Sequence, residues 1–266
     1  MQAVRPAAVA GLFYPGRRAV LRSTIAELLD DARRVIAASS MPAPKGLVLP
    51  HAGYVYSGST AALGYALLER ERDSVHRVVL LGPCHRVWTE GLALPDAGAF
   101  ETPLGTVAVE RVPDALRRRL PQLHDGAAVH AQEHSLEVHV PFLQTVLGEF
   151  TLVPLAVGAV TAEQVSGVID ALWGGPETVV VASSDLSHYL TYQQANAVDA
   201  DTVAKMLRLD ATLTHDEACG ADPVNGLLLS ARTHGLAPRL LGRCTSGDTA
   251  GDKRRVVGYA ALALAS

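Results

Sequence analysis

GLVLPHAGYVYSG, residues 46–58, is a short apolar run that breaks into a glycine-rich turn carrying one histidine. RVVLLGPCHR, residues 77–86, repeats the pattern and again delivers a histidine. An open α/β sheet builds its site at the carboxyl ends of its strands, where such turns emerge. His51 and His85 are therefore the first candidate metal ligands, because neutral imidazole binds iron, zinc and copper. Either one alone could equally be a histidine hydrogen-bonded at a strand end. Two in matching positions on successive strands make a stronger case. Gly53 and Gly58 permit tight backbone geometry next to Tyr54 and the following helix.

Working outward, helices alternate with apolar strands. Leu21, Ile25, Leu28, Leu29 and Ala32 recur at spacings of three and four, which predicts a helix over 17–38. Further helices are expected over 59–72, 113–120, 134–148, 161–173, 192–208 and 223–234. Strands are expected at 47–49, 77–82, 150–157, 178–184 and 255–264. TVVVASS at 178–184 is apolar on both faces, as in a covered parallel sheet. The stretch 87–112 is broken by Gly91, Pro95, Gly98, Pro103 and Gly105 and reads as inserted short strands and hairpins. Residues 1–16 read as an extended arm ending in the turn Tyr14-Pro15-Gly16. The pattern predicts an α/β fold of one domain, residues 1–266, with a central mainly parallel or mixed sheet flanked by helices.

Composition narrows the function. The 266 residues are 48% hydrophobic, ample for a core, and carry a net charge of −4. Arg117, Arg118 and Arg119 read as the solvated face of a short helix, so nucleic acid is not an expected partner. No run of about 18 apolar residues is present, so no membrane span is expected. The N-terminal stretch is a poor signal peptide. Cys84, Cys219 and Cys244 are odd in number and form no CxxC, which fits a reducing cytoplasm.

Three later stretches carry polar chemistry. In EHSLEVH, residues 133–139, the histidines are five apart rather than the four of a zinc-hydrolase helix. His134, Glu137 and His139 therefore read as groups that line or brace a pocket. In SSDLSHY, residues 183–189, Asp185 and His188 leave the most apolar strand together, and an acid beside a histidine can raise its basicity. His188 is the candidate acid/base and Asp185 its orienting group. In CTSGDTAGD, residues 244–252, Asp248 would complete a two-histidine-one-carboxylate triad suited to ferrous iron, whereas Cys244 would make a softer site closer to zinc or copper.

These motifs, in order, make the chain resemble the Memo family, whose bacterial members are also called AmmeMemoRadiSam system protein B. The resemblance runs nearly end to end. It rests on RPAAVAGLFYPG, PHAGYVYSG, LLGPCHR, FETPLGTV, EHSLEVHVPFLQ, SSDLSHY, CGADPVNGLLL and SGDTAGD followed by VVGYAA. It implies a fold similar to class III extradiol dioxygenases and a non-haem metal site. The cofactor expected from it is iron(II), with copper or zinc as alternatives. It implies that His51 and His85 are ligands. The third ligand of eukaryotic members is a cysteine placed before the last strand, and aligning that loop puts Asp248 at the position, with Cys244 four residues earlier. His188 would sit in the pocket as acid/base, with Tyr54 and Cys244 among its lining. The function expected is a metal-dependent, dioxygenase-like oxidoreductase acting on a small molecule of unknown identity. The alternatives are a non-catalytic metal-binding or adaptor protein taking a peptide or small anion in the same pocket, and a zinc hydrolase. The bacterial group's name further implies a functional link to radical SAM and Ammecr-type proteins.

Overall fold

The computed structural model describes residues 3–37 and 41–266. Residues 1, 2 and 38, the ends of the expected arm and first helix, lie outside them. The arm pairs briefly as β1 (Val4–Arg5). Helix α1 (Arg18–Ala37) buries Leu21, Ile25, Leu29, Ala32 and Ile36, the stripe its spacing predicts. The first histidine strand is β2 (Gly46–Leu49). Helix α2 (Tyr54–Leu68) starts earlier than expected, because Gly53 in extended backbone takes the cap position directly after the His51 turn. Then come β3 (Arg77–Pro83), β4 (Leu92–Leu94) and the hairpin β5 (Ala99–Thr102) and β6 (Gly105–Val109). These short strands are the inserted hairpins that the broken stretch 87–112 predicts.

The middle of the chain is short-stepped. It runs through α3 (Asp114–Arg117), β7 (Leu123–Asp125), α4 (Ala127–Ala131) and α5 (Val140–Val146), the last with Pro141 in its first turn. A 3-10 turn at Glu137–His139 precedes α5, so the single helix expected over 134–148 is split. Regular units then return as β8 (Thr151–Val157), α6 (Ala162–Ala171) and β9 (Thr178–Ser183). After β10 (His188–Leu190), α7 (Tyr192–Leu207) and α8 (Ala221–Thr233) follow. Thr161 with Gln164, and Thr191 with Gln194, form reciprocal capping boxes that set the starts of α6 and α7. The chain closes with β11 (Ala237–Thr245), α9 (Ser246–Thr249) and β12 (Val256–Ala265). β11 has no sequence expectation behind it. It holds Pro238 and Gly242 and is only partly buried, so its strand character comes from pairing along β12.

The sheet order is β1-β5-β6-β8-β3-β9-β2-β12-β10, with β11 also on β12, and β4 on β8 and β7. β8, β3, β9 and β2 are mutually parallel, while β12 runs antiparallel to β2. Side chains alternate across this block. Leu47, Leu49, Val78, Leu80, Val179 and Val181 face the core under α1 and α2. Val48, Val79, Leu81, Val180 and Ala182 face the core under α6 and α8. Each such side chain contributes about 1.5–3 kcal/mol on burial. Covering both faces is what makes the four strands read as continuous apolar runs. The two histidine strands are successive in sequence but not neighbours: β9 runs between them. Among the described residues no helix is long and apolar enough to cross a membrane.

Candidate metal centre

The parallel block ends on one edge, and the turns leaving β2, β9 and β3 stand side by side there. His51 follows β2, Asp185 follows β9 and His85 follows β3. Two of these turns are tied directly. Asp185 Oδ1 accepts the backbone N–H of His51 at 2.7 Å and that of Ala52 at 3.3 Å. The ligand atoms of His51, His85 and His134 all lie within 4.8 Å of one another, a spacing that could hold one metal ion. Ring centroids are 5.1 Å apart for His51 and His85, 5.6 Å for His51 and His134, and 4.5 Å for His85 and His134.

Hydrogen bonding settles which nitrogen His51 offers. Ser183 Oγ lies 2.7 Å from the Ser135 carbonyl, 2.6 Å from His51 Nδ1 and 2.8 Å from His139 Nε2. A carbonyl can only accept, so the one hydroxyl proton goes to Ser135 and both imidazoles must donate. His51 therefore carries its proton on Nδ1 and keeps a lone pair on Nε2. His139 carries its proton on Nε2, and its Nδ1 accepts the Tyr65 hydroxyl at 2.7 Å. Every member of this buried chain, Tyr65–His139–Ser183–His51, is satisfied.

Glu133 does the same for His85. Its carboxylate accepts the His85 backbone N–H at 2.5 Å, His85 Nδ1–H at 3.0 Å, and the N–H groups of His134 and Ser135 at 2.9 Å each. Burial pushes this carboxyl up, but the His85 contacts and the amides win and hold it at about 2. A carboxylate on Nδ1–H leaves the lone pair of His85 on Nε2 and fixes the ring's orientation. His134 Nδ1 has no hydrogen-bond partner, although Glu133 Oε1 lies 3.3 Å away. The two atoms are close but not aligned for a hydrogen bond, which leaves this nitrogen unpaired.

Burial keeps His51 and His134 neutral, which is the form a metal requires. His51 is held well below the usual imidazole range by burial first, then by His85, His134, His139 and His188. Burial takes His134 down to about 4, against the pull of Glu133, and takes His139 to about 3. His188 is likewise lowered by burial, and its Nδ1 donates to the Leu186 carbonyl at 2.8 Å, leaving Nε2 basic.

The structure gives the expected site residues different places. His134, expected to brace the pocket, stands with His51 and His85. His139 braces, through Ser183. Asp185 does not orient His188: it fixes the His51 backbone, and burial pushes it to about 7 against those two amides. Glu137 serves the N-terminal arm, accepting from Arg5 Nη1, the amides of Ala8 and Val9, and the Tyr14 hydroxyl. Tyr54 is buried and donates to the Val138 carbonyl at 2.7 Å. Cys244 lies 3.0 Å from Thr60 Oγ1. Asp248 is not in the histidine group. Its Oδ2 accepts Thr245 N–H and Oγ1–H at 2.8 and 2.9 Å, and its Oδ1 accepts the Tyr192 hydroxyl at 2.6 Å. It is thus the closing half of a capping box for α9.

Sequence reasoning gave no role to Glu133, Ser183 or Cys219. Cys219 Sγ lies 3.4 Å from His51 Nε2, and burial, followed by Asp185, pushes its thiol up to about 12. Its signal was position, directly before α8, in a loop that returns to the end of β9 through the Gly220 N–H bond to Ser184 Oγ at 2.9 Å. Glu133 signalled only by standing beside a histidine.

Known proteins match this chain along its length. The model of the Memo-like protein family matches residues 5–263. A MEMO1 family protein of Methanopyrus kandleri is 34% identical, with 97% of this chain and 98% of the relative covered. One from Thermoplasma volcanium is 32% identical, with 97% of each covered. One from a Thermotoga species is 34% identical, with 98% of this chain and 99% of the relative covered. The arm, the His51 and His85 turns and the buried 133–139 segment all lie inside the matched span, and the chain belongs to the Memo-like protein family.

Proposed function

We propose that this Memo-family chain is a metal-dependent oxidoreductase of the dioxygenase-like kind, with His51, His85 and His134 holding iron(II). The observation that carries the reading is the trio itself: three imidazoles with ligand atoms within 4.8 Å, two of them with tautomers set so that Nε2 carries the lone pair. This donor set fits a borderline transition metal and not magnesium or calcium, which take oxygen ligands. The Cys219 thiol, within reach of His51 Nε2, is a further donor, and it brings copper or zinc into range at the same residues.

Iron(II) bound there supplies Lewis acidity and one-electron redox chemistry. The chain's own groups do the rest. Ser183 and Glu133 lock the His51 and His85 rings so that the lone pairs stay aimed. Asp185 fixes the His51 turn. His188 stays neutral at pH 7 and can take a proton on Nε2 from a small molecule bound beside the centre. A cavity of about 350 Å³ opens past His85 and Cys219 and gives that molecule a path.

Anaerobic loading with iron(II), followed by oxygen uptake across a panel of small chelating substrates, tests this. The expected result is substrate-dependent uptake that falls about 10²–10⁴-fold in His188→Asn. Uptake that is absent across the panel, or indifferent to His188, overturns the reading.

A further inference from the structure

The cavity beside His85 has an asymmetric wall. Trp88 lines it and is 77% exposed, with no hydrogen bond to its indole N–H among the described residues. An indole on a cavity wall offers an apolar, electron-rich face to whatever enters the cavity. Asp222 lines the same cavity with only a quarter of its side chain exposed. One of its oxygens lies 3.4 Å from His215 Nε2, and the other has no partner among the described residues. Pro83 and Pro223 supply apolar walls, and no described lysine or arginine lines the cavity. An acid in the first turn of α8 answers the helix dipole. That explains the acid, but not an exposed indole on the same cavity.

We propose that this cavity is a subsite for a small organic amine, whose ammonium is taken by the Asp222 carboxylate and the face of Trp88. An organic cation is what both an indole face and a carboxylate attract, and an ammonium is the compact one that a small cavity admits. The cavity, at about 350 Å³, is at the small end of ligand sites. A molecule filling it reaches His85 with its other end. As a substrate subsite this rests on the metal-centre reading, whereas amine binding in itself does not.

The test is titration of the metal-free full chain with benzylamine, benzyl alcohol and benzoate, three probes of similar size and different charge. Tryptophan fluorescence reports binding, with Trp88→Phe separating the Trp88 signal from that of Trp173. The expected result is that benzylamine binds about tenfold tighter than benzyl alcohol, and benzoate weakest. Asp222→Asn should erase the amine preference while leaving benzyl alcohol binding unchanged. Trp88→Ala should weaken both neutral and cationic probes. Equal affinities, a preference for benzoate, or an amine preference that survives Asp222→Asn overturns the proposal. Iron(II) uptake by separate samples of the same variants shows whether the metal reading stands or falls on its own.

Discussion

Glu133 and Glu137 lie four residues apart in one buried segment, and each carboxylate collects four hydrogen bonds. Glu133 gathers two from His85 and the amides of His134 and Ser135. Glu137 gathers Arg5, the amides of Ala8 and Val9, and the Tyr14 hydroxyl. The first shapes the candidate metal centre and the second pins the N-terminal arm. Residue type, burial and neighbourhood are nearly the same, so what separates a site residue from a structural one is only where the partners come from.

Removing each carboxylate should therefore give opposite symptoms. Glu137→Ala leaves the Arg5 guanidinium, 5% exposed, without its counter-charge. The expected cost is about 3–5 kcal/mol of stability, read by urea unfolding, with metal content per folded molecule preserved. Glu133→Gln should instead weaken metal binding by about 10–100-fold, read by competition with a chelator, with a smaller loss of stability. A Glu137 variant that folds normally and loses its metal would erase the distinction.

Acid should act on the same segment from the other side. His139 and His130 are held at about 3 and about 4 by burial, below the unfolded value of 6.5. Below 6.5 the unfolded chain binds protons that the folded chain refuses, so their contribution is complete above that pH and is lost as pH falls toward 4. Glu133, held at about 2, adds a further loss as pH falls from 4.5 to 2. Asp185, raised to about 7, works the other way, since the folded chain takes up its proton first. Unfolding free energy measured from pH 7 to 4 should decline, and less steeply in His139→Gln. A flat profile would contradict the burial of neutral imidazoles.

The smallest effect is expected where the sequence placed the third ligand. Asp248→Ala removes a cap and the Tyr192 contact, costing about 1 kcal/mol, with metal content unchanged.

Much of the fold was legible in the residues. The 3.6 spacing of Leu21, Ile25 and Leu29 and the unbroken apolar runs at 77–82 and 178–184 state their roles locally. β11 was not legible, because Pro238 and Gly242 dilute its pattern and β12 supplies its order. At the site, His51 and His85 announced themselves through strand-end turns, which are local. His134 and Cys219 come from loops that are brought to the edge by long-range ties, Glu133 to His85 and Gly220 to Ser184, and no local spacing encodes those. Asp248 misled because a glycine-flanked acid in a polar loop looks the same whether it caps a helix or binds a metal.

If His51, His85 and His134 form the metal centre, the metal content of the folded chain depends on each of them. Protein purified without added metal and then loaded anaerobically with iron(II) should hold about one ion per chain. His51→Ala, His85→Ala and His134→Ala should each lose it while keeping the far-UV circular dichroism of the parent, and Asp248→Ala should retain it. Full occupancy in His134→Ala together with loss in Asp248→Ala would exclude the three-histidine centre.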